Sequence, residues 1–127
     1  MEQGTVCWSE LATRDVEAAK AHYAALVGWT YEAAPMDGGT YWIASRSGRP
    51  TAGIMDVAAI PHEVPPHWLT YIAVDDMDAA VATVSETGGH VIREPFAVPN
   101  VGRIAIVSEP GGGGYGLLEP EKPAAAT

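Results

Sequence analysis

The sequence holds one cysteine, Cys7, which excludes an internal disulfide framework and any zinc site built from several thiolates. The ordinary role for such an isolated residue is that of a small apolar side chain buried on a strand. Basic residues are also scarce: seven Lys and Arg against sixteen Asp and Glu give a formal net charge of −9. Seven scattered cations do not make the concentrated footprint that a phosphate backbone requires, so nucleic acid is excluded as a partner. The same acidity favours a cationic small molecule over a neutral or anionic one. No stretch approaches the roughly 18 consecutive apolar residues of a membrane span. Met1-Glu2-Gln3-Gly4 lacks the basic segment and apolar core of a secretory signal, so the expectation is a cytoplasmic chain with no membrane partner. A phosphate-binding loop is missing too. Gly111 to Gly114 precedes a strand, not the helix N-terminus that such a loop needs, and reads as a flexible turn.

What is present is a chain of 127 residues, 47% hydrophobic and 18% charged, the profile of one ordinary globular domain. It is long enough to bury roughly 65–70% of the surface its unfolded form exposes, and so folds without staples. Its informative feature is an internal repeat. Leu11-Ala12-Thr13-Arg14-Asp15-Val16-Glu17-Ala18-Ala19 returns as Ile72-Ala73-Val74-Asp75-Asp76-Met77-Asp78-Ala79-Ala80, an offset of 76 − 15 = 61. At that offset Gly28 meets Gly89, Ile43 meets Ile104 and Gly53 meets Gly114, so one register is expected from Leu11 to Gly53 without a gap.

Each half reads as a strand, a helix and three further strands. Val6 to Thr13 is rich in apolar and β-branched residues and predicts the first strand. Asp15 is an N-cap, Val16, Ala19, Tyr23 and Leu26 follow at helical spacing, and Gly28 ends the run. In the second half Asp76 caps, Met77, Ala80, Val81 and Val84 form the stripe, and Gly88-Gly89 stop it. Strands are expected near 29–34, 40–45 and 51–57, then near 90–94, 103–108 and 114–119, with Gly- and Pro-rich turns between. The fold class is therefore α+β. Two tandem βαβββ modules (5–57 and 67–119) form a curved mixed sheet around a central pocket, with a Pro-rich linker at 58–66 and a frayed tail at 120–127. An open ferredoxin-like sandwich is the alternative, but it needs two helices per repeat unit and the sequence offers one.

Cys7-Trp8-Ser9-Glu10-Leu11, Asp15, and the helix through His22-Tyr23 to Gly28-Trp29 resemble the opening half of glyoxalase/bleomycin-resistance/dioxygenase domains, the vicinal oxygen chelate superfamily. Pro66-His67-Trp68-Leu69-Thr70-Tyr71 with Asp75-Asp76, Val98 to Arg103 and Glu109-Pro110-Gly111-Gly112 resemble its second half and late turns. The resemblance spans about residues 5–120 and implies lyases, dioxygenases, epimerases or drug-binding proteins, because one fold hosts all of them. In metal-dependent members it implies a divalent ion held by His or Gln on each first strand and Glu on each last strand. Here those positions fall on Trp8, Leu69, Met55 and Gly116, none of which can hold a hard cation. No metal or other cofactor is therefore expected. A displaced divalent site using Glu10 and His67, two residues away on the same strand faces, is the alternative.

Trp8 and Tyr71 are expected to wall a pocket for an aromatic or cationic ligand, together with Trp42, Met55, His67, Leu69 and Gly116. Glu10 is the polar group there, as a partner for a basic ligand group or as a general base. Of the other histidines, His22, His62 and His90 read as surface or structural residues. The expected function is metal-independent small-molecule binding of the bleomycin-resistance type, with a homodimer as the assembly. A lyase or dioxygenase is the competing class.

Overall fold

The computed structural model describes residues 2–36, 39–59, 65–99 and 101–121. The middle of the expected linker with His62, the turn at 37–38, Asn100 and the tail from 122 lie outside the described residues. Packing divides the chain into two units, residues 8–69 and residues 1–7 together with 70–127.

The first module runs β1 (Val6–Thr13), α1 (Val16–Val27), β2 (Thr30–Met36), β3 (Gly39–Arg46) and β4 (Arg49–Asp56). Its strand order is β2-β3-β4-β1, with β1 parallel to β4 and the other pairs antiparallel. The second module repeats this as β5 (His67–Ala73), α2 (Met77–Glu86), β6 (His90–Val98), β7 (Gly102–Ser108) and β8 (Gly114–Pro120), in the order β5-β8-β7-β6. The chain thus has the expected α+β fold of two tandem βαβββ modules. The first residues of β1 belong to the second unit: the Gly4 amide donates to the Ala73 carbonyl, and the Ala73 amide donates to that of Thr5.

Both helices start as the sequence predicts. The Asp15 carboxylate accepts from the Ala18 amide at 3.0 Å, and the Asp76 carboxylate accepts from the Ala79 amide at 3.1 Å. Each satisfies one of the amides that a helix N-terminus leaves without an intrahelical partner. Gly28 closes α1 in the left-handed region, φ 76°, its amide donating to the Ala24 carbonyl. The two helices then differ in burial. Met77 and Val84 of α2 enter a core with Val74, Ala105, Val107 and Leu117. In α1 no residue is buried: Val16, Ala19 and Tyr23 are half-covered, and Leu26 is 64% exposed.

Two strand boundaries depart from expectation. The β3–β4 turn is tighter than the gap at 46–50 between the expected strands, because Ser47 (φ 53°) and Gly48 (φ 76°) close a two-residue hairpin and β4 begins at Arg49. β6 continues through Pro95 to Val98, where the sequence suggested a stop at Glu94. β6 is the last strand in its unit's order, and its pairing with β7 shifts register twice, between Val91 and Arg93 and between Arg93 and Phe96. A proline, which lacks an amide proton, is tolerated at such an edge or bulge.

These shifts also correct the repeat. Glu10 pairs with Gly53 and Tyr71 with Gly116, so the first strands keep the offset 71 − 10 = 61 while the last strands are related by 116 − 53 = 63. Two bulges lengthen β6 by two residues and the β6–β7 connection is one longer than the β2–β3 connection, while α2 is two residues shorter than α1 and its exit one longer, a net gain of two. The structural counterpart of Gly53 is therefore Gly116 and not Gly114, and that of Met55 is Leu118.

Candidate functional site

Strand alternation sorts the first module into two faces. Trp42 and Tyr31 stand on the α1 side: the Lys20 ammonium of α1 sits 3.2 Å from the centre of the Trp42 ring, and the Tyr31 hydroxyl donates to the Lys20 carbonyl at 2.8 Å. Trp8, Glu10, Gly53, Met55, Tyr41 and Ile43 occupy the opposite face, since Glu10 pairs with Gly53 and Gly53 with Ile43. Trp42 therefore does not join Trp8. Its neighbour Tyr41 does.

On that opposite face lies a buried polar network. Glu10 and Tyr41 are each only 1% exposed. The Trp8 indole N–H donates to the Tyr41 hydroxyl at 2.8 Å, and the Glu10 carboxylate stands beside that hydroxyl. Desolvation, then the adjacent Glu10 charge, hold the Tyr41 phenol well above its ordinary range, so it stays a proton donor. The ring is accommodated because residue 53 is glycine: a Cβ there would run into the Tyr41 hydroxyl and ring carbons. A carboxylate buried in this way is costly unless it is hydrogen-bonded or paired with a charge.

The second module places a tyrosine over a glycine in a different way. Tyr71, fully buried on β5, lies across its own pairing partner Gly116, where a Cβ would meet the ring edge. Gly116 is thus a covered floor rather than an open lining. The Cys7 thiol, raised above its ordinary pKa by burial, contacts the Tyr71 carbonyl at 3.7 Å. On β6 the Arg93 guanidinium stacks 3.7 Å from the Phe96 ring centre. Residues three apart would point to opposite faces of a regular strand, and the intervening bulge brings these two together.

Met55 and Leu69 are buried, at 1% and 5% exposure. His67 is half-buried, and its Nδ1 donates to the Pro65 carbonyl at 2.8 Å. Trp68 is 43% exposed and joins Tyr23 and Trp29 in an aromatic cluster beside α1, with ring centres 5.2–6.3 Å apart. His22 and His90 are exposed. Sequence reading missed Tyr41. The signal was the alternation Tyr41-Trp42, which becomes readable once one of the two is assigned to the helix side.

Comparison with known proteins fixes the class. Residues 5–114 match the Glyoxalase/Bleomycin resistance protein/Dioxygenase superfamily, and the chain belongs to that family. It is 39% identical over 128 residues to the "Putative glyoxylase CFP32" of Mycobacterium tuberculosis, covering 98% of this chain and 49% of that protein. It is 35% identical over 125 residues to the anthracycline biosynthesis protein DnrV of Streptomyces peucetius, covering 97% of this chain and 45% of that one. The chain spans about half the length of these curated relatives. Among solved structures, methylmalonyl-CoA epimerase from Mycobacterium tuberculosis superposes with a TM-score of 0.69 at 19% identity, covering 98% of this chain and 92% of that one, a likeness of fold.

The family's divalent ion does not fit the residues present. Trp8, Leu69, Met55 and Gly116 supply no hard donor, and the corrected last-strand counterparts Gly53 and Leu118 add none. Among the described residues no three His, Cys, Asp or Glu side chains gather into a metal-holding group. The displaced pair of Glu10 and His67 is two ligands without a third, and His67 is engaged by the Pro65 carbonyl.

Proposed function

We propose that this protein is a metal-independent small-molecule binding member of the family, with an aromatic or cationic ligand. The observation that carries the reading is the Trp8–Tyr41–Glu10 network, which sets an indole and a buried carboxylate on the face where metal-dependent relatives would carry ligand-type residues. An aromatic wall with one negative group suits a planar cation, which gains from both the ring face and the charge. The 35% identity to an anthracycline biosynthesis protein supports a polycyclic aromatic ligand. The test is a titration of tryptophan emission with a panel of aromatic amines and anthracyclines. Saturable quenching that is weakened by Trp8→Phe and by Glu10→Gln is expected. Quenching unchanged in both variants would mean that the ligand binds elsewhere.

A second reading, acid–base catalysis on a bound substrate, is favoured by one feature: Glu10 is a buried carboxyl group beside a phenol that keeps its proton. Elemental analysis after incubation with Ni, Mn, Fe and Zn separates both readings from a metalloenzyme. One tightly held equivalent, lost in Glu10→Ala or His67→Ala, would overturn metal independence. We further infer a homodimer and a cytoplasmic location. The uncovered apolar residues Leu26, Val27 and Trp68 support association, and a monomeric mass by sedimentation would count against it.

A further inference from the structure

We propose that the second module carries a separate binding groove, between α2 and the start of the chain, that takes the ring of an uncharged aromatic small molecule of the indole or phenol type. The groove lies wholly within residues 1–7 and 70–127, and the inference does not depend on the role proposed above for Glu10.

The groove has a volume of about 360 Å³, within the roughly 300–1,000 Å³ of small-molecule sites. Its floor is Ile72 of β5 with Tyr115 and Leu117 of β8, on the face of the sheet opposite Tyr71 and Gly116. One wall is α2, where Ala79, Ala80, Thr83 and Val84 fall at helical spacing. The other wall is the start of the chain. There the Gly4 amide donates to the Ala73 carbonyl at 2.9 Å, and the Gln3 side-chain oxygen accepts from the Asp75 amide at 3.0 Å. Both residues are thereby fixed against the end of β5.

The first module shows what such a place holds. The caps Asp15 and Asp76, and the amides of Ala18 and Ala79 that they accept from, are 61 residues apart, as are the first strands. At that offset Tyr23 of α1 becomes Val84, and Trp68 becomes Cys7. Tyr23 and Trp68 meet edge to face beside α1, their ring centres 5.7 Å apart. An isopropyl group and a thiol replace these two rings in the second module, and the space beside Val84 is the groove. The chain holds no ring to refill it. Tyr71 is buried on the other face, Tyr115 is already in the floor, and Phe96 lies under the Arg93 guanidinium. The residues outside the described ones include no Phe, Tyr or Trp. A ring that fills the groove therefore comes from another molecule.

The polar lining selects the kind of ring. The Thr83 hydroxyl donates to the Ala79 carbonyl at 3.0 Å, and the Thr87 hydroxyl donates to the Thr83 carbonyl at 2.8 Å. Their protons are used inside the helix, so what they retain is acceptor lone pairs. An indole N–H or a phenol O–H is the matching donor. Among the described residues, the charged side chain of the lining is Asp76, which disfavours a carboxylate on the ligand. Removal of the ring from water against Ala80, Val84 and Leu117 supplies the attraction.

The experiment titrates indole into the full chain, with the methyl groups of Ala, Ile, Leu and Val labelled with ¹³C and followed by NMR. Residues 1–7 and 70–127 contain no tryptophan, so this readout is separate from the emission titration of the Trp8 face, and either can fail alone. Saturable ring-current shifts of the Ala80, Val84 and Leu117 methyl groups are expected. Thr83→Trp, at an exposed position of the groove wall, puts an indole from the chain itself beside α2, as Trp68 lies beside α1. It should weaken indole binding by roughly tenfold or more. Ala79→Trp, also exposed, serves if Thr83→Trp does not fold. Indole-3-acetate should bind less tightly than indole. The absence of saturable shifts at these methyl groups overturns the groove. So does an unchanged indole affinity in a folded Thr83→Trp protein, or in Ala79→Trp where Thr83→Trp does not fold. Indole-3-acetate binding as tightly as indole overturns the uncharged ring.

Discussion

Replacing Gly53 with alanine is the most direct challenge to the arrangement around Glu10. One methyl group is added at a site where the Tyr41 hydroxyl and two of its ring carbons already stand, and Tyr41 is only 1% exposed. The ring must leave, because backbone on the neighbouring strands holds the glycine in place. Overpacking of this kind costs about 1–3 kcal/mol. Loss of the hydrogen bond from the Trp8 indole adds about 0.5–1.5 kcal/mol. The sum is about 1.5–4.5 kcal/mol, a large share of the roughly 5–15 kcal/mol that holds a typical domain folded. For a chain of this size it lowers the thermal midpoint by about 5–20 °C. Urea unfolding of Gly53→Ala, Tyr41→Ala and the double variant gives the measurement. Removing the ring first should abolish most of the penalty for the methyl group, a coupling of about 2 kcal/mol or more. Equal penalties in the two backgrounds, within about 0.5 kcal/mol, would show that Tyr41 does not occupy the space over Gly53.

Three further outcomes are expected. Gly116→Ala should destabilise by about 1–3 kcal/mol, since the new methyl group meets the Tyr71 ring edge, and a Tyr71→Ala background should relieve it. The Tyr41 phenol is held above its unfolded-state value near 10.0, so the folded protein binds that proton more tightly than the unfolded one. By linkage its contribution is present below pH 10 and is lost as pH rises beyond it; thermal midpoints should fall above about pH 10, and the fall should flatten in Tyr41→Phe. Asp76→Ala removes the acceptor of the Ala79 amide and should cost about 1 kcal/mol in urea unfolding, with ligand binding unchanged.

Much of the fold was legible because the signals were local. Asp15 and Asp76 announce helix starts through capping chemistry, Gly28 announces a stop through its left-handed backbone, and apolar runs between turn residues announce strands. The offset of 61 failed where local chemistry says little about register. Bulges on β6 are decided by how an edge strand pairs, and Pro95 reads as a terminator until a partner strand is known. Side-chain facing on β3 was lost for the same reason. Tyr41 and Trp42 are both aromatic, and only the Lys20 ammonium over Trp42 assigns one to the helix side. Glu10 could be named from sequence, whereas the Tyr41 ring beside it depends on three strands meeting in one register.

The two modules also show how a duplicated frame divides its chemistry. The last-strand glycine recurs at equivalent positions, Gly53 and Gly116, and each is covered by a tyrosine ring. The rings come from different places: Tyr41 from the third strand of its module, Tyr71 from the first. The first-strand position that carries Tyr71 in the second module carries Glu10 in the first, so the same pairing site holds an aromatic lid in one copy and a carboxylate in the other. A glycine that admits a ring is thus the shared element, and the residue opposite it is free to differ. If the shared requirement is space for a ring, then Gly53→Ala and Gly116→Ala should each be relieved by truncating their own tyrosine and not by truncating the other. A crossed double-mutant set measures this. Relief across the modules would show that the two glycines serve one packing unit, and relief within each would establish two separate ring sites of which only the first is built around a charge.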